Sequence, residues 1–340
     1  MRLGRQTAAC VTAFAYRTYR FGISNRVSPR HLRSPHSGEV PRVQVNPVFW
    51  CRQGNASVNH SDLGPTGLWA DTIDVDIETY LNQVGEVFRA FREQDSGCVS
   101  YGVLAGDKRW FVKHSSVPRA IEGLERARAL HTAVQHPALP ALHHSFRTPD
   151  GLALVFDWLP GELLRDYVRY PKDHSCTPAC PHARFRSLPL SRILDILDTI
   201  YDLHLFLAER GYVAVDFYDG CILYDFDRAQ THICDLDEYR LGPFVLQHER
   251  NFGSRRFMAP EEFQRGATID QLSNVYTLGR TAIILLGDDS RPQTAWRGTD
   301  EMRLVVDRAT SPDRSQRYPS VCAFVEAWRE ASCPRAPKKV

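Results

Sequence analysis

The sequence predicts an α+β protein built as two lobes, and three observations predict it. Residues 73–158 read as strand-rich, residues beyond about 190 read as helical, and an apolar strand candidate, "GLALVFDW" at 151–158, runs into Pro160-Gly161 between them. Strands gathered in one part and helices in the next indicate a segregated α+β fold rather than an alternating α/β one. The division is expected near residues 158–161, and no internal repeat is visible.

Taken in order, residues 46–72 are rich in Gly, Pro, Ser, Asn and His without an apolar period, which reads as linker, so ordered structure is expected to begin near Ile73. Tyr80, Leu81, Val84, Val87 and Phe88 stand at helical spacing and predict a helix over 79–91. Strands are predicted around 99–104 and 109–113, a helix over 118–134, and the apolar strand at 151–158. Ile193, Leu194, Leu197, Ile200, Leu203 and Leu207 form one stripe, predicting a buried helix over 190–208. "GYVAVDFYDGCILYDF" then gives short strands broken at Asp219-Gly220 and Asp225, "THICDLDEYR" supplies another strand ending in acids, and the period is helical again from Pro260. The expected organisation is a basic segment and linker over 1–72 and one domain over 73–335, with lobes at about 73–158 and 159–335.

The 340 residues are 43% apolar and 24% charged, enough apolar mass for a sizeable core. A formal net charge of +2 is too small to argue for nucleic acid or an anionic membrane as partner. The longest aliphatic run, around Ala282-Ile283-Ile284-Leu285-Leu286, falls short of a membrane span, and the chain is read as soluble. Nine scattered cysteines, from Cys10 to Cys333, fit a reducing, cytoplasmic setting better than a disulfide framework. Residues 1–38 hold seven arginines and no acid, which reads as a transit peptide, a basic tail or an upstream start.

Two acids close apolar stretches. Asp216 follows the β-prone Tyr212-Val213-Ala214-Val215, and Asp235 ends "THICD". A hairpin's length separates them, which would bring both carboxylates to one edge of a small sheet. Such a pair either caps turns or divides chemical labour, one acid accepting a proton from a nucleophile and the other holding a divalent metal that bridges phosphates. Lys113 ends "RWFVKH", where Trp110 and Val112 are expected to be buried, and a lysine there is costly unless paired. A basic tip facing phosphates accounts for it.

At this point the chain resembles the protein-kinase-like superfamily, over roughly residues 90–331. "FVKH" looks like the "VAIK" strand and makes Lys113 the phosphate-holding lysine; "VQHPALPAL" is similar to the "HPNIV" turn after the regulatory helix. "CDLD" resembles "DFG", with Asp235 as the metal-binding acid. "GSRRFMAPEEF" is close to "GTPxYMAPEE", with Ser254 in the threonine's place and Ala259-Pro260-Glu261 at the segment's end. "NVYTLG" follows "DVWSLG", and "SPDRSQRYPS" looks like "DPxxRxT", matching Arg317 to the arginine that pairs with Glu261. The sequence looks closest to bacterial serine/threonine-kinase-like proteins with a "VAVDFYDG" loop in place of the usual catalytic loop.

The departures fall around that loop. Against "HRDLKxxN" the histidine and arginine become Ala214 and Val215, Asp216 stays, the lysine becomes Tyr218 and the metal-binding asparagine becomes Cys221. Without the arginine, control by a phosphate on the following segment is less expected. A neutral thiol is a poor magnesium ligand, and Asp219 is the candidate to supply an oxygen instead. Asn274 stands where the family has an anchoring aspartate. The phosphate loop keeps Gly97 and Gly102, with Ser100 as a small stand-in, or is a plain hairpin with a glycine turn. Glu122 and Glu125 share a helix face, and Glu125 is the expected partner of Lys113. Outside the resemblance, "DHSCTPACPH" spaces His174, Cys176, Cys180 and His182 as zinc ligands or as a simple surface insertion. Cys98 and Cys221 are read as small core residues or redox-sensitive thiols.

The resemblance implies a two-lobed protein-kinase-like fold and transfer of the γ-phosphoryl group of ATP, with Mg²⁺ or Mn²⁺, to serine or threonine of a protein substrate. In that reading Asp216 is the catalytic carboxylate that accepts the hydroxyl proton, and Lys113 the catalytic, phosphate-binding cation. Gly97, Ser100, Gly102 and Glu125 complete the nucleotide site, Asp235, Asp219 and Cys221 the metal site, and Ser254 and Glu261 lie in the substrate segment. The alternatives are a pseudokinase that binds a nucleotide or a regulatory protein partner, and a small-molecule phosphotransferase of the aminoglycoside-kinase type.

Overall fold

A computed structural model describes residues 67–166, 170, 177–287 and 295–333. Helix α1, Ile77–Val84, starts at Asp76, whose carboxylate accepts from the Thr79 N–H at 2.9 Å and the Thr79 hydroxyl at 2.6 Å. It ends at Gly85, which lies so close to the second strand that a Cβ there would fall 2.5 Å from the Leu104 carbonyl oxygen. The single helix expected over 79–91 is therefore two elements, because Glu86–Phe91 continues as strand β1. A register shift between Val87 and Arg89 gives that strand an apolar spacing that imitates a helix.

Strands β2, Val99–Ala105, β3, Lys108–Ser115, β4, Leu142–Arg147, and β5, Leu152–Asp157, complete an antiparallel sheet in the order β1-β2-β3-β5-β4. The sequence expectation lacked β4, whose "LHHSFR" is too polar to stand out; it gains its place by pairing with β5, apolar from Leu152 to Phe156. Helix α2, Pro118–Ala133, opens with proline at its first turn and buries Ala120, Leu124 and Ala127 against Leu152, Leu154 and Phe156 of β5.

The second lobe is helical: α3, Pro181–Arg186; α4, Leu190–Glu209; α5, Gln271–Leu286; α6, Asp300–Ala309; α7, Val321–Ser332. Helix α4 buries the predicted stripe except Leu194, which is half-buried, and Tyr201 on it meets the rings of Phe324 and Trp328 at 5.1 and 5.4 Å. Helix α5 is buried nearly all round, the mark of a core helix. Short strands decorate this core: β6, Glu162–Leu163, pairs with β8, Ile222–Asp225, which pairs with β9, Gln230–Ile233. Strand β7, Tyr212–Val213, pairs with β10, Arg240–Leu241, and β11, Phe244–Val245, with β12, Thr268–Ile269. The whole is a mixed α+β, two-lobed kinase-like fold. Among the described residues, no helix is long and apolar enough to cross a membrane.

One buried ion pair locks the end of the 253–261 segment to the last helices. Arg317, 0% exposed in its side chain, donates to both oxygens of Glu261 at 2.8 and 3.0 Å, while Ser273 and Arg314 also reach Glu261. Replacing Arg317 by Met strips a buried carboxylate of its main partner, and a loss on the order of 3–5 kcal/mol is expected. Urea unfolding checks this as a lowered midpoint at unchanged slope.

Candidate functional site

Strand β3 carries Lys113 in register with Ser100 of β2 and Leu154 of β5, so its stem is held among buried neighbours and its ammonium projects into the cleft between the lobes. The residue is 7% exposed. Its Nζ lies 2.6 Å from Asp235 Oδ1 and also bonds Asp237 Oδ2. Burial alone would lower the lysine's pKa, but the two carboxylates outweigh it and hold the group well above its usual value, so it stays protonated.

Asp235 is fixed by the β8–β9 hairpin, since the preceding Cys234 N–H bonds the Cys221 carbonyl at 2.9 Å. Its backbone, at φ 64°, and that of Asp216, at φ 62°, lie in the left-handed region. Such conformations cost on the order of 1–3 kcal/mol at non-glycine residues and persist where surrounding structure imposes them. For Asp216 the imposing contacts are visible. Asn274 at the start of α5 clamps Ala214 from both sides, accepting its N–H at 2.9 Å and donating to its carbonyl at 2.7 Å. Val215 and Phe217 are buried, with Phe217 packed 4.5 Å from the His204 ring, and the Cys221 thiol donates to the Asp216 carbonyl at 3.3 Å.

Asp216 Oδ1 is buried and has no hydrogen-bond partner among the described residues. Burial, then the nearby Asp235, Glu238 and Glu262 carboxylates, raise its pKa well above the ordinary carboxylate value. The 253–260 segment closes directly over it. Gly253 has φ 124°, and a Cβ there would stand 3.3 Å from Asp216 Cα and Oδ1, so only glycine fits.

The remaining sequence candidates distribute differently. Asp219, 0% exposed, gives both oxygens to Arg256 Nη1 at 3.1 and 2.9 Å, so neither is open to a metal. Burial pushes the Cys221 thiol well up and keeps it protonated. Gly97, at φ 78°, turns the β1–β2 connection and its carbonyl accepts from the Ser115 hydroxyl at 2.7 Å. Ser100 Oγ accepts from Gln94 Nε2 at 3.1 Å. Gly102 makes room for rings rather than phosphates: a Cβ there would lie 2.6 Å from Trp158 and 2.7 Å from Phe88.

Glu125 does not meet Lys113. Its carboxylate is taken by Arg147 and Arg128, each at 2.5 Å, and Glu122 is exposed. The expectation of a helix glutamate comes from the resemblance, and helical spacing puts Glu122 and Glu125 on one face without fixing which way that face points. Ser254 is buried, with its carbonyl bonded by the Phe257 N–H at 2.9 Å. Of the zinc candidates, His174 and Cys176 lie outside the described residues. Cys180 is the buried cap of α3, its Sγ accepting the Ala183 N–H at 3.3 Å, and His182 has its pKa lowered by burial.

Lys113, Asp235, Asp237, Gln94, Ser100, Phe111, Trp158 and Leu223 line one cleft with about 730 Å³ of empty space, open solvent at its mouth included. Its walls are aromatic, with Trp158 at 4.8 Å from Phe88 and 6.3 Å from Phe111. Sequence reasoning missed Asp237, Arg256 and Gln94. Asp237 has a signal, a second acid two residues after Asp235; Arg256 and Gln94 have none.

Because the folded Asp216 carboxyl holds its proton more tightly than the unfolded one, the fold loses stability as pH rises through that raised value. Asp216→Asn is therefore expected to raise Tm at about pH 8 and to bring no gain near the ordinary carboxylate value of about pH 4. Calorimetry at the two pH values measures it.

No family model matches the chain. The serine/threonine-protein kinases Sgk3 of Mus musculus and Rattus norvegicus are each 26% identical to it over 234 residues, which is 65% of this chain and 44% of theirs. The chain thus spans less than half the length of these curated relatives, and the similarity is that of a distant protein-kinase-like relationship.

Proposed function

We propose that the chain is a divergent protein-kinase-like phosphotransferase that moves the γ-phosphoryl group of Mg-ATP to a serine or threonine hydroxyl of a protein. The observation that carries this reading is the convergence of a buried, protonated Lys113 on Asp235 in one cleft, with Asp216 nearby on a strained backbone, its buried Oδ1 without a hydrogen-bond partner among the described residues. Bound Mg-ATP would supply the phosphoryl group and a metal charge. Lys113 would neutralise charge developing on the phosphates, and Asp216 would orient the hydroxyl and accept its proton. Magnesium on phosphates needs only one or two protein carboxylates, and Asp235 offers one.

The 253–260 segment supports a protein substrate over a small molecule, because it lies against Asp216 and is anchored through Glu261 and Arg317. A second reading, a kinase-like module that binds a nucleotide or a protein partner without transfer, is favoured by Asp219 and Cys221 both being engaged away from a metal. The two separate in one assay: Mg-ATP binding and turnover of wild type against Asp235→Ala. Transfer in wild type and a loss of about 10²-fold or more in the variant are expected, in the range of a lost electrostatic contact. Metal-independent binding with no transfer in either protein would falsify the enzyme reading. Since Asp216 must be ionised to act, kcat/KM is expected to fall on the acid side at a pH above the ordinary carboxylate value of about 4, an effect visible in a pH–rate profile.

A further inference from the structure

We infer that Asp237 is the positioning carboxylate of Lys113 in this chain, an office expected of the α2 glutamate; its bearing on phosphate chemistry rests on the phosphotransferase reading above. Three observations meet here. Lys113 Nζ bonds Asp237 Oδ2 as well as Asp235, so a second acid already occupies the ammonium. Helix α2 offers no competitor: Glu125 is held by Arg128 and Arg147, and Glu122 is exposed. In the middle of that helix, opposite the acid, stands Gly123, where a Cβ would already touch Asp237 Cβ at 3.4 Å.

A Cβ at Gly123 would make only ordinary contact with Asp237, so the helix runs close beside the acid-bearing residue with no carboxylate of its own between them. Arg126 holds this arrangement from the helix, donating to the Asp237 carbonyl at 2.9 Å and to Glu238 Oε2 at 3.0 Å.

The placement has a mechanistic consequence. Both acids that hold Lys113 sit two residues apart on one segment, so the lysine's setting is established by residues 235–237 and the sheet. Its charge partner does not travel with α2. The helix contributes an arginine bonded to the segment's backbone and flank instead of a carboxylate bonded to the lysine.

The test reads the ammonium itself and needs neither nucleotide nor turnover. Acylation of Lys113 by an N-hydroxysuccinimide ester in the full, nucleotide-free chain is followed against pH by peptide mass spectrometry. Removing one adjacent negative charge lowers a lysine pKa by about a unit or more, so Asp237→Asn is expected to speed labelling roughly tenfold at fixed pH. Asp237→Glu, which keeps the charge, stays within about twofold of wild type. Glu122→Gln and Glu125→Gln leave the rate unchanged. Asp237→Ser, which removes the same charge with less bulk, is made alongside in case the amide variant fails to fold. Labelling of the charge-removing variants at the wild-type rate, or an equal rise in either helix variant, overturns the assignment. Mg-ATP binding measured on the same proteins reports separately on the phosphotransferase reading. A tenfold labelling change in a chain that binds no nucleotide supports the role of Asp237 and removes the kinase reading.

Discussion

A single ammonium group ties the five-stranded sheet to the acid-bearing segments of the helical lobe. Lys113 is buried on a strand whose neighbours belong to the core, and taking its charge out of water is costly unless that charge is met. Asp235 and Asp237 meet it from the other side of the cleft. The converse holds as well, because the two carboxylates crowd one another and Asp216, and without the lysine the segment would carry uncompensated buried charge. The cleft geometry follows from this mutual dependence, since the sheet places the cation and the β8–β9 hairpin places the anions.

The segregated architecture is legible in the sequence because its cores are written with clean periods. The α4 stripe, the apolar β5 run and the α2 bounds all appear at or near their predicted places. The failures share a cause. Residues 86–91 imitate a helix because a register irregularity in β1 shifts the apolar spacing, and β4 is hidden because its place depends on pairing rather than on its own composition. At the site, Lys113 and the acids show themselves as charges inside apolar runs, a local contradiction that a sequence exposes well. Which carboxylate meets the lysine is a question of three-dimensional direction. The resemblance pointed to a glutamate of α2, while the informative mark was smaller, an i, i+2 pair of acids.

The loop around Asp216 is built differently from the motif it resembles, and bonds from outside the loop hold it. A backbone position is gripped by Asn274 through two neutral hydrogen bonds, which need no charge to orient them. Asp219 joins the loop to the overlying segment through Arg256, a charge-assisted contact between two stretches that must keep register. The result is a loop stiffened by short-range bonds, with its one unsatisfied carboxylate oxygen left at Asp216. Stability is forgone at that atom, the pattern expected where a group is kept free for use.

The aromatic lining of the cleft gives the molecule an optical property. Trp158 stands at the point where the chain passes from sheet to helical lobe, edge-on to Phe88 and beside Phe111, with Gly102 cut back to admit its ring. An indole so placed samples the polarity of the cleft directly. The protein thereby carries an intrinsic fluorophore at the cavity wall, which makes occupancy a spectroscopic quantity without any attached label.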